Sequence, residues 1–447
     1  MDDRIREHIR NLIDNNRWTE ARSVLKGMSP AEVKGLMTDM EKTRRVFVFR
    51  LLEKQSASEV LSHLEGGERD NLLKELTDEE IRQVLKNMRP DDRTEILEVL
   101  PGKAIQKLLN LLPPEELNEA RQLLGYPKES IGRLMTPDYV AVRPDWTIEQ
   151  SLRHIRNMGK DSETINVIYV TNQSWKLIDA LGLRQFILAN PADQVQQIMD
   201  YSFVGVQAAD DREKAVHVIQ DYDLYALPVL DAEGTLLGIV TVDDILDVAE
   251  EETTEDIQKT AAVEPLKISY GDVGIWSLYR KRVLWLIGLF GINLLAASVI
   301  ASYEKTLSSA IALAFFIPIL MGTGGNVGTQ SASLVIRALA TREVYLKQFF
   351  RTFNRELATG LLLAVTMALA GGVFGFMNSG SDIAFTMGIS IILIVMVTNT
   401  IGVVIPFLLT QLKVDPAVVS SPLIASISDV TCLIIYFSVA QSVFGIV

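Results

Sequence analysis

Five long apolar segments constrain the fold of this 447-residue chain more than any other feature. Each is long enough to cross the roughly 30 Å of bilayer hydrocarbon as a helix. Since backbone polar groups must be paired within lipid, the segments predict an all-α transmembrane domain over residues 281–447. The segments span about residues 283–303, 308–336, 357–377, 384–411 and 418–442.

The distribution of basic residues predicts the orientation of these segments. Arg280–Arg282 precede the first segment, a run of arginines and a lysine separates the second from the third, and Lys413 separates the fourth from the fifth. The opposite loops hold only Glu304, Lys305 and Asp382. Positive-inside counting therefore predicts a multi-pass protein of the inner or plasma membrane, with its N-terminal domains cytoplasmic and its C-terminus outside.

Composition narrows the function classes. Residues 1–270 carry 33 Lys/Arg and 49 Asp/Glu, a net charge of −16, whereas the remainder carries 10 and 7, a net charge of +3. This acidic excess indicates cation chemistry or a partner and argues against nucleic-acid binding. One cysteine and four histidines provide neither a disulfide framework nor zinc-ligand spacing. We find no nucleophile–base constellation or phosphate loop and expect no enzyme.

Residues 1–130 predict an all-α N-domain. Apolar residues recur at helical spacing, and "SPAE" (29–32) and "TDEE" (77–80) are capping boxes that begin helices. Short helices in series with little strand signal indicate a superhelical array.

Residues 131–250 contain an internal repeat. "LMTPDYVAVRPDWTIEQSLRHI" (134–155) aligns without gaps on "IMDYSFVGVQAADDREKAVHVI" (198–219), and each copy continues strand–strand–helix. The pattern resembles a pair of α/β CBS domains, and "GIVTVDDIL" (238–246) is the strongest local match. Such pairs are regulatory modules that often bind adenine nucleotides, although dimerisation alone is an alternative. The first copy has Gly182 and Gln185 where the family usually has a hydroxyl residue and an Asp.

Residues 251–280 predict a connecting helix. An acidic helical stretch, "EETTED", follows the second repeat directly, and the basic cluster at 280–282 follows at the membrane. The segment therefore joins a sensor to a membrane domain.

The second apolar segment, "FIPILMGTGGNVGTQSASLVIRALATRE" (316–343), is unusual at its centre. Its glycines allow close approach to the backbone, and its polar side chains supply oxygens at membrane depth. Such polarity is tolerated only when buried in protein or lining a watery cavity. Since packing needs the glycines but not the oxygens, we favour pore lining over packing alone. The oxygens belong to Asn326, Thr329, Gln330, Ser331 and Ser333, with Thr398–Thr400 added by the fourth segment.

Asp429 is a carboxylate within the fifth apolar segment. Arg337, the nearest cationic candidate, lies at a helix end and can snorkel to the interface. We therefore predict that Asp429 meets a cation that is not part of the protein. Hard oxygen ligands suit Mg, Ca or Mn, and one carboxylate is too few for an all-protein Ca site. The sequence thus favours hydrated Mg2+, with Mn and Co left open, and two copies of Asp429 would face one ion across a two-fold axis.

The chain as a whole resembles the MgtE family of magnesium channels or transporters. The motifs at 316–343 and "DPAVVSSPLIASISDVTCLIIYF" (415–437) carry the resemblance, as does the domain order. Two departures are Cys432, where a Gly is usual, and Thr329, where some members have Asn. The resemblance implies a homodimer that imports Mg2+ through a central pore at Asp429. The pore residues near it would be Asn326, Thr329 and Ser333, with Asp415 at the cytoplasmic mouth.

The resemblance also implies that cytosolic Mg2+, bound among the N-domain, the CBS pair and the connecting (plug) helix, closes the pore. Alternatives are a broader importer of Co2+ or Mn2+ and a membrane-tethered CBS sensor. Whether ATP binds the CBS pair and whether transport is channel-like stay open. The matching acidic positions are Glu59, Asp91, Asp92, Asp211, Glu213, Asp223, Asp244, Asp247, Glu252, Glu255 and Asp256.

Overall fold

The computed structural model describes residues 3–15, 17–38, 40–64, 66–99, 102–266 and 270–445. Two compact units divide the chain, Met1–Glu252 and Thr253–Val447. This division lies close to the predicted end of the CBS pair at residue 250.

The N-domain is all-helical, as predicted. Several helices pack against the next helix but one in the chain: α2 packs on α4, α3 on α5, α4 on α6 and α5 on α7. A core that includes Leu36, Leu61 and Leu85 runs through the array. Thr77 and Glu80 form the predicted capping box of α7. The helices are α1 Asp3–Asp14, α2 Trp18–Leu25, α3 Pro30–Thr38, α4 Lys42–Leu51, α5 Lys54–His63, α6 Gly66–Glu75, α7 Asp78–Lys86, α8 Pro90–Val99, α9 Gly102–Leu109 and α10 Pro114–Leu124.

The two repeat copies fold alike, which confirms the predicted duplication. In each, a short strand pairs in parallel with the next strand, which pairs antiparallel with the third, and an irregularity falls at the same place. A helix connects the first two strands, and another follows the third. The elements are α11 Ile131–Leu134, β1 Ala141–Val142, α12 Ile148–Met158, β2 Val167–Thr171, β3 Leu177–Gly182, α13 Leu183–Leu188, β4 Val206–Gln207, α14 Arg212–Tyr222, β5 Ala226–Leu230, β6 Leu236–Thr241 and α15 Val242–Thr260.

The connecting segment is not the single helix predicted over 251–280. The last helix of the second repeat, α15, continues through Thr260 and then ends. Ala262 has a φ of +59°, and the Val263 N–H closes the end of the helix by donating to the Gln258 carbonyl. Among the described residues a short 3-10 helix follows at Tyr270–Asp272, and the next α-helix begins at Ile275, within the range assigned to the connector. The left-handed conformation of Ala262 and the proline three residues later, Pro265, end the helix.

The membrane unit contains, in the part of the chain that the structure describes, five helices long and apolar enough to span a bilayer. Four enclose the core: α18 packs against α20 and α21, and α19 packs on α20. The first spanning helix, α16, lies against α21. The helices are α16 Ile275–Ser302, the short α17 Glu304–Ser309, α18 Ala312–Ala340, α19 Phe349–Ser379, α20 Ser381–Gln411 and α21 Ser421–Phe444.

Candidate functional site

Glycines of α18 bring the pore-forming helices together. A Cβ on Gly324 would overlap the Cys432 sulfur of α21, and one on Gly328 would lie 2.8 Å from the Ser428 Oγ. A Cβ on Gly402 of α20 would overlap the Gly328 carbonyl oxygen. The absence of side chains therefore lets α18 lie between α20 and α21 at backbone distance. Cys432, where the family usually has Gly, is fully buried and fills the space left by Gly324.

Asp429 lies beside this crossing, half-buried on α21. Its Oδ1 is 3.7 Å from the position that a Cβ on Gly325 would occupy. No Lys, Arg or His of the described residues lies within ion-pair distance of it. Arg337, the candidate partner, makes no such pair. The carboxylate thus faces neutral backbone and small side chains, which leaves its charge to be met by something other than this chain.

The predicted pore oxygens separate into two sets. Asn326 and Ser333 are exposed and Thr329 is partly exposed, at a spacing that places them along one stripe of α18. The Thr329 hydroxyl donates to the Gly325 carbonyl at 2.7 Å, so its lone pairs stay available. Ser331 is instead buried against α20. The stripe begins one residue after Gly325, the residue that Asp429 approaches.

Asp415 lies in the loop before α21. One carboxylate oxygen accepts from the Ala417 N–H at 2.8 Å, and the other lies 2.6 Å from the Lys259 Nζ of α15. The same Nζ lies 2.7 Å from Glu255. Burial lowers the pKa of Lys259, but hydrogen bonds to the carboxylates outweigh it and the pKa is raised. A lysine, absent from the predicted site, therefore bridges two of its acids.

A second acidic site lies between the N-domain and the CBS pair, within the first unit. Desolvation raises the pKa of Asp91 well above its usual value, and the charges of Asp244, Asp92 and Glu163 raise it further. Asp91 is 8% exposed, and its Oδ1 is buried without a hydrogen-bond partner. Burial also raises the pKa of Asp244 to about 7. We call Asp91, Asp92, Glu163, Asp243 and Asp244 the interdomain cluster.

A basic side chain borders the cluster. Arg89 forms an ion pair with Glu163 and lowers the pKa of Asp92, although burial raises that pKa overall. Two members of the cluster, Asp243 and Glu163, were not predicted from the sequence. Asp243 directly precedes Asp244, so the motif "VDDIL" could have indicated it. Glu163 lies far from both along the chain and carries no such signal. Its position follows from the folding of the first repeat.

The other predicted regulatory acids have different surroundings. Burial raises the pKa of Asp92 and of Asp247, and the charge of His63 acts to lower both. The charge of Glu59 acts to raise the pKa of Asp92, so Glu59 and His63 border the interdomain cluster. Asp211 caps α14, Glu213 lies 3.5 Å from His217, and Glu252 pairs with Arg212. Asp223 ends α14 in the left-handed conformation, and Asp256 lies on α15.

Metal ligation is not preformed at these acids. Among the described residues no group of three His, Cys, Asp or Glu is close enough to hold one ion. The orphaned Asp91 oxygen nevertheless fits a cation or its bound water, because a buried carboxylate needs a partner.

The two CBS copies differ at Gly182 and Gln185 of the first copy and at the equivalent Thr241 and Asp244 of the second. In the first, the Gln185 side chain accepts from the N–H of Gly182 at 2.8 Å and so caps its own helix. In the second, the Thr241 hydroxyl donates to Asp243, and also to Asp244 at 2.8 Å. Only the second copy therefore has a hydroxyl–carboxylate pair at this place.

This combination defines a multi-pass membrane protein with a polar helix crossing around one carboxylate and with acidic N-terminal domains. Family models match a divalent cation transporter over residues 317–439, an MgtE intracellular N domain over 28–129 and a CBS domain over 195–251. The chain is 40% identical to the magnesium transporter MgtE of Thermus thermophilus over 99% of both chains. It is 36% identical to that of Bacillus subtilis over 72% of this chain and 71% of the relative.

The chain therefore belongs to the MgtE family. A crystal structure of the cytosolic domain of the Mg2+ channel MgtE in complex with ATP is 37% identical, with a TM-score of 0.52 over 54% of this chain and 98% of that one. The soluble part of a magnesium transporter matches with a TM-score of 0.53 at 26% identity, over 56% of this chain and 98% of that one.

Proposed function

We propose that this chain is a Mg2+-selective channel or transporter that carries Mg2+ into the cytoplasm. The observation that carries the proposal is Asp429, an intramembrane carboxylate that no cationic side chain of the described residues pairs with, beside an exposed stripe of amide and hydroxyl oxygens. Mg2+ keeps several of its waters and needs only one or two carboxylates, which this arrangement offers. Full-length similarity to a magnesium transporter supports the same ion.

We infer a homodimer with its pore between the subunits. Asn326 and Ser333 are exposed in the single chain, although polar side chains in a membrane helix normally face protein or water. A second copy would cover this stripe and place two Asp429 carboxylates around one hydrated ion. Basic residues at 280–282 and Lys413 support cytoplasmic N-terminal domains and an external C-terminus.

Regulation by cytosolic Mg2+ is proposed at two places. In the interdomain cluster, Mg2+ would neutralise crowded carboxylates, with Asp91 as the buried ligand. At the second place, Glu255 and Asp415 share Lys259, and Mg2+ would strengthen this bridge. Such a gate requires that the closed state bind Mg2+ more tightly than the open state. The remaining predicted acids, including Asp211, Glu213 and Asp223, stay proposals.

ATP is proposed as a ligand of the CBS pair because the similar cytosolic domain was crystallised with it. Thr241 and Asp244 of the second copy are the residues that we expect to contact it. We assign no catalytic reaction to the chain.

The proposal is tested by Mg2+ uptake into liposomes that contain the purified full-length chain. We expect Asp429→Asn to reduce uptake by about 100-fold or more, since an ion partner at membrane depth is lost. Asp382→Asn, an exposed carboxylate at the start of α20, is the matched control and should conduct normally. Equal uptake by the wild type and Asp429→Asn would overturn the role of the carboxylate.

Competition between divalent ions distinguishes Mg2+-selective transport from the alternative functions. If Co2+ and Mn2+ enter as fast as Mg2+ and displace it, the chain is a broader divalent cation importer. If no ion enters through the folded wild-type protein, the membrane-tethered sensor becomes the better interpretation.

A further inference from the structure

Asn399, which the sequence predicts among the pore oxygens, is instead a buried amide at the centre of the membrane unit, outside the proposed ion path. It is 1% exposed and lies within α20. Its Oδ1 accepts from the Ser331 hydroxyl of α18 at 2.5 Å. Its Nδ2 donates to the Glu356 carbonyl of α19 at 2.9 Å. One side chain thus joins three helices by hydrogen bonds that leave its own helix.

The surroundings of this amide are built to receive it. A Cβ on Gly360 of α19 would lie 2.8 Å from the Asn399 Nδ2, so only glycine leaves room there. On the other side, Gly402 brings α20 against α18, where its added Cβ would lie 3.0 Å from the Ser331 Cβ. An apolar side chain would meet the needs of packing alone, whereas an amide in the membrane has to be paired. The pairing therefore indicates a role in orientation.

Ser331 lies between the exposed pore residues of α18. Thr329 precedes it by two positions and Ser333 follows by two, both on the open side of the helix. Since successive helical residues are separated by about 100°, Ser331 lies almost opposite the stripe, so a rotation of α18 that turns the stripe away from the pore also moves Ser331 away from α20. The bond to Asn399 opposes this rotation.

We propose that Asn399 is a positioning residue for ion selection, which fixes the rotation of α18 and so holds its oxygens beside Asp429. This inference rests on the proposed pore. Its consequence is specific, because loosening the rotation alters how the oxygens contact a hydrated ion. We therefore expect loss of the Asn399 side chain to lower ion selectivity more than it lowers the stability of the fold.

The test measures Mg2+ and Na+ permeability of the purified full-length chain in liposomes, together with its melting temperature in detergent. Asn399→Ala removes both interhelical bonds, and Ser331→Ala removes one while leaving the amide on Glu356. The control is Thr386→Val, since the buried Thr386 hydroxyl of α20 donates only within its own helix, to the Asp382 carbonyl at 2.7 Å.

We expect both alanine variants to lower the Mg2+/Na+ permeability ratio about three- to tenfold, the effect of one interhelical hydrogen bond. The double variant should be no worse than Asn399→Ala, because the two residues share a bond. Thr386→Val should keep the ratio. If Asn399→Ala does not fold, Ser331→Ala decides the matter.

A lower melting temperature with an unchanged permeability ratio in both variants would overturn the inference and leave Asn399 a packing residue. Failure of the pore itself is distinguishable, since Asp429→Asn would then conduct like the wild type.

Discussion

Both units of this chain contain carboxylates that are at least partly buried, and their surroundings differ. In the interdomain cluster, Asp91 and Asp244 lie among other acids, with Arg89 nearby. In the membrane unit, Asp429 lies alone against glycine backbone and small side chains. Crowded acids repel each other until a cation arrives, which makes conformation depend on cation concentration. A solitary carboxylate holds one cation loosely enough to release it, which suits passage.

The largest effect is expected from a substitution that disturbs the tight helix packing beside Asp429. Gly324→Ala would place a methyl group on the Cys432 sulfur and 2.8 Å from the Ile394 Cγ2. Overpacking a close helix crossing costs about 1–3 kcal/mol or more, so we expect a large loss of folded protein, measured by thermal stability in detergent.

Two variants control this result. Gly322→Ala should be tolerated, since nothing lies within 4 Å of its added Cβ. Adding Cys432→Gly to Gly324→Ala should restore part of the stability by removing the overlapping sulfur. Wild-type stability of Gly324→Ala would show that the crossing is looser than described.

Acidity should control Mg2+ binding at the interdomain cluster. Burial raises the pKa of Asp244 from 3.8 to about 7, so its protonated form stabilises the folded state at low pH. That stabilisation is lost as the pH rises from about 4 through about 7. Because Mg2+ needs the deprotonated ligand, its affinity should rise up to about tenfold per pH unit below 7.

The measurement is the Mg2+ concentration that half-protects the full-length chain from protease at pH 6 and pH 8. We expect a lower value at pH 8 in the wild type and a smaller difference in Asp244→Asn, in which Asp91 still titrates with a raised pKa. An unchanged pH dependence in the variant would assign it to groups other than Asp244.

Asp91→Asn tests the repulsion directly. The buried amide keeps the shape of the side chain without its charge, so the Mg2+-free protein should be cleaved several-fold more slowly than the wild type. The additional protection by Mg2+ should shrink. Glu115→Gln, an exposed carboxylate of the same domain, should change neither rate. Faster cleavage of Asp91→Asn without Mg2+ would contradict the repulsion.

The smallest effect is expected at Lys259. Lys259→Met leaves Glu255 and Asp415 to repel each other unless Mg2+ joins them. A partly exposed pair is worth up to about 1 kcal/mol, so the ratio of uptake at low and at high internal Mg2+ should rise up to about fivefold. Lys305→Met, at an exposed position of α17, should leave the ratio unchanged. An unchanged ratio in Lys259→Met as well would remove this bridge from the gate.

The sequence by itself determined the elements whose signals are local. Apolar length established the five spanning helices, capping boxes began helices such as α7, and the repeat at 134–155 and 198–219 implied two similar folds. The prediction of a single connecting helix was wrong, because the left-handed backbone at Ala262 ends α15 despite the helical composition of the segment.

Tertiary structure alone decided which residues meet. Glu163 joined the interdomain cluster, Lys259 reached Asp415 across 156 positions, and Ser331 turned toward Asn399 while Ser333 faced outward. The physical reason is that helix type and length depend on nearby residues, whereas the pairing of charges and oxygens depends on packing. That packing here rests on glycines whose partners lie on other helices.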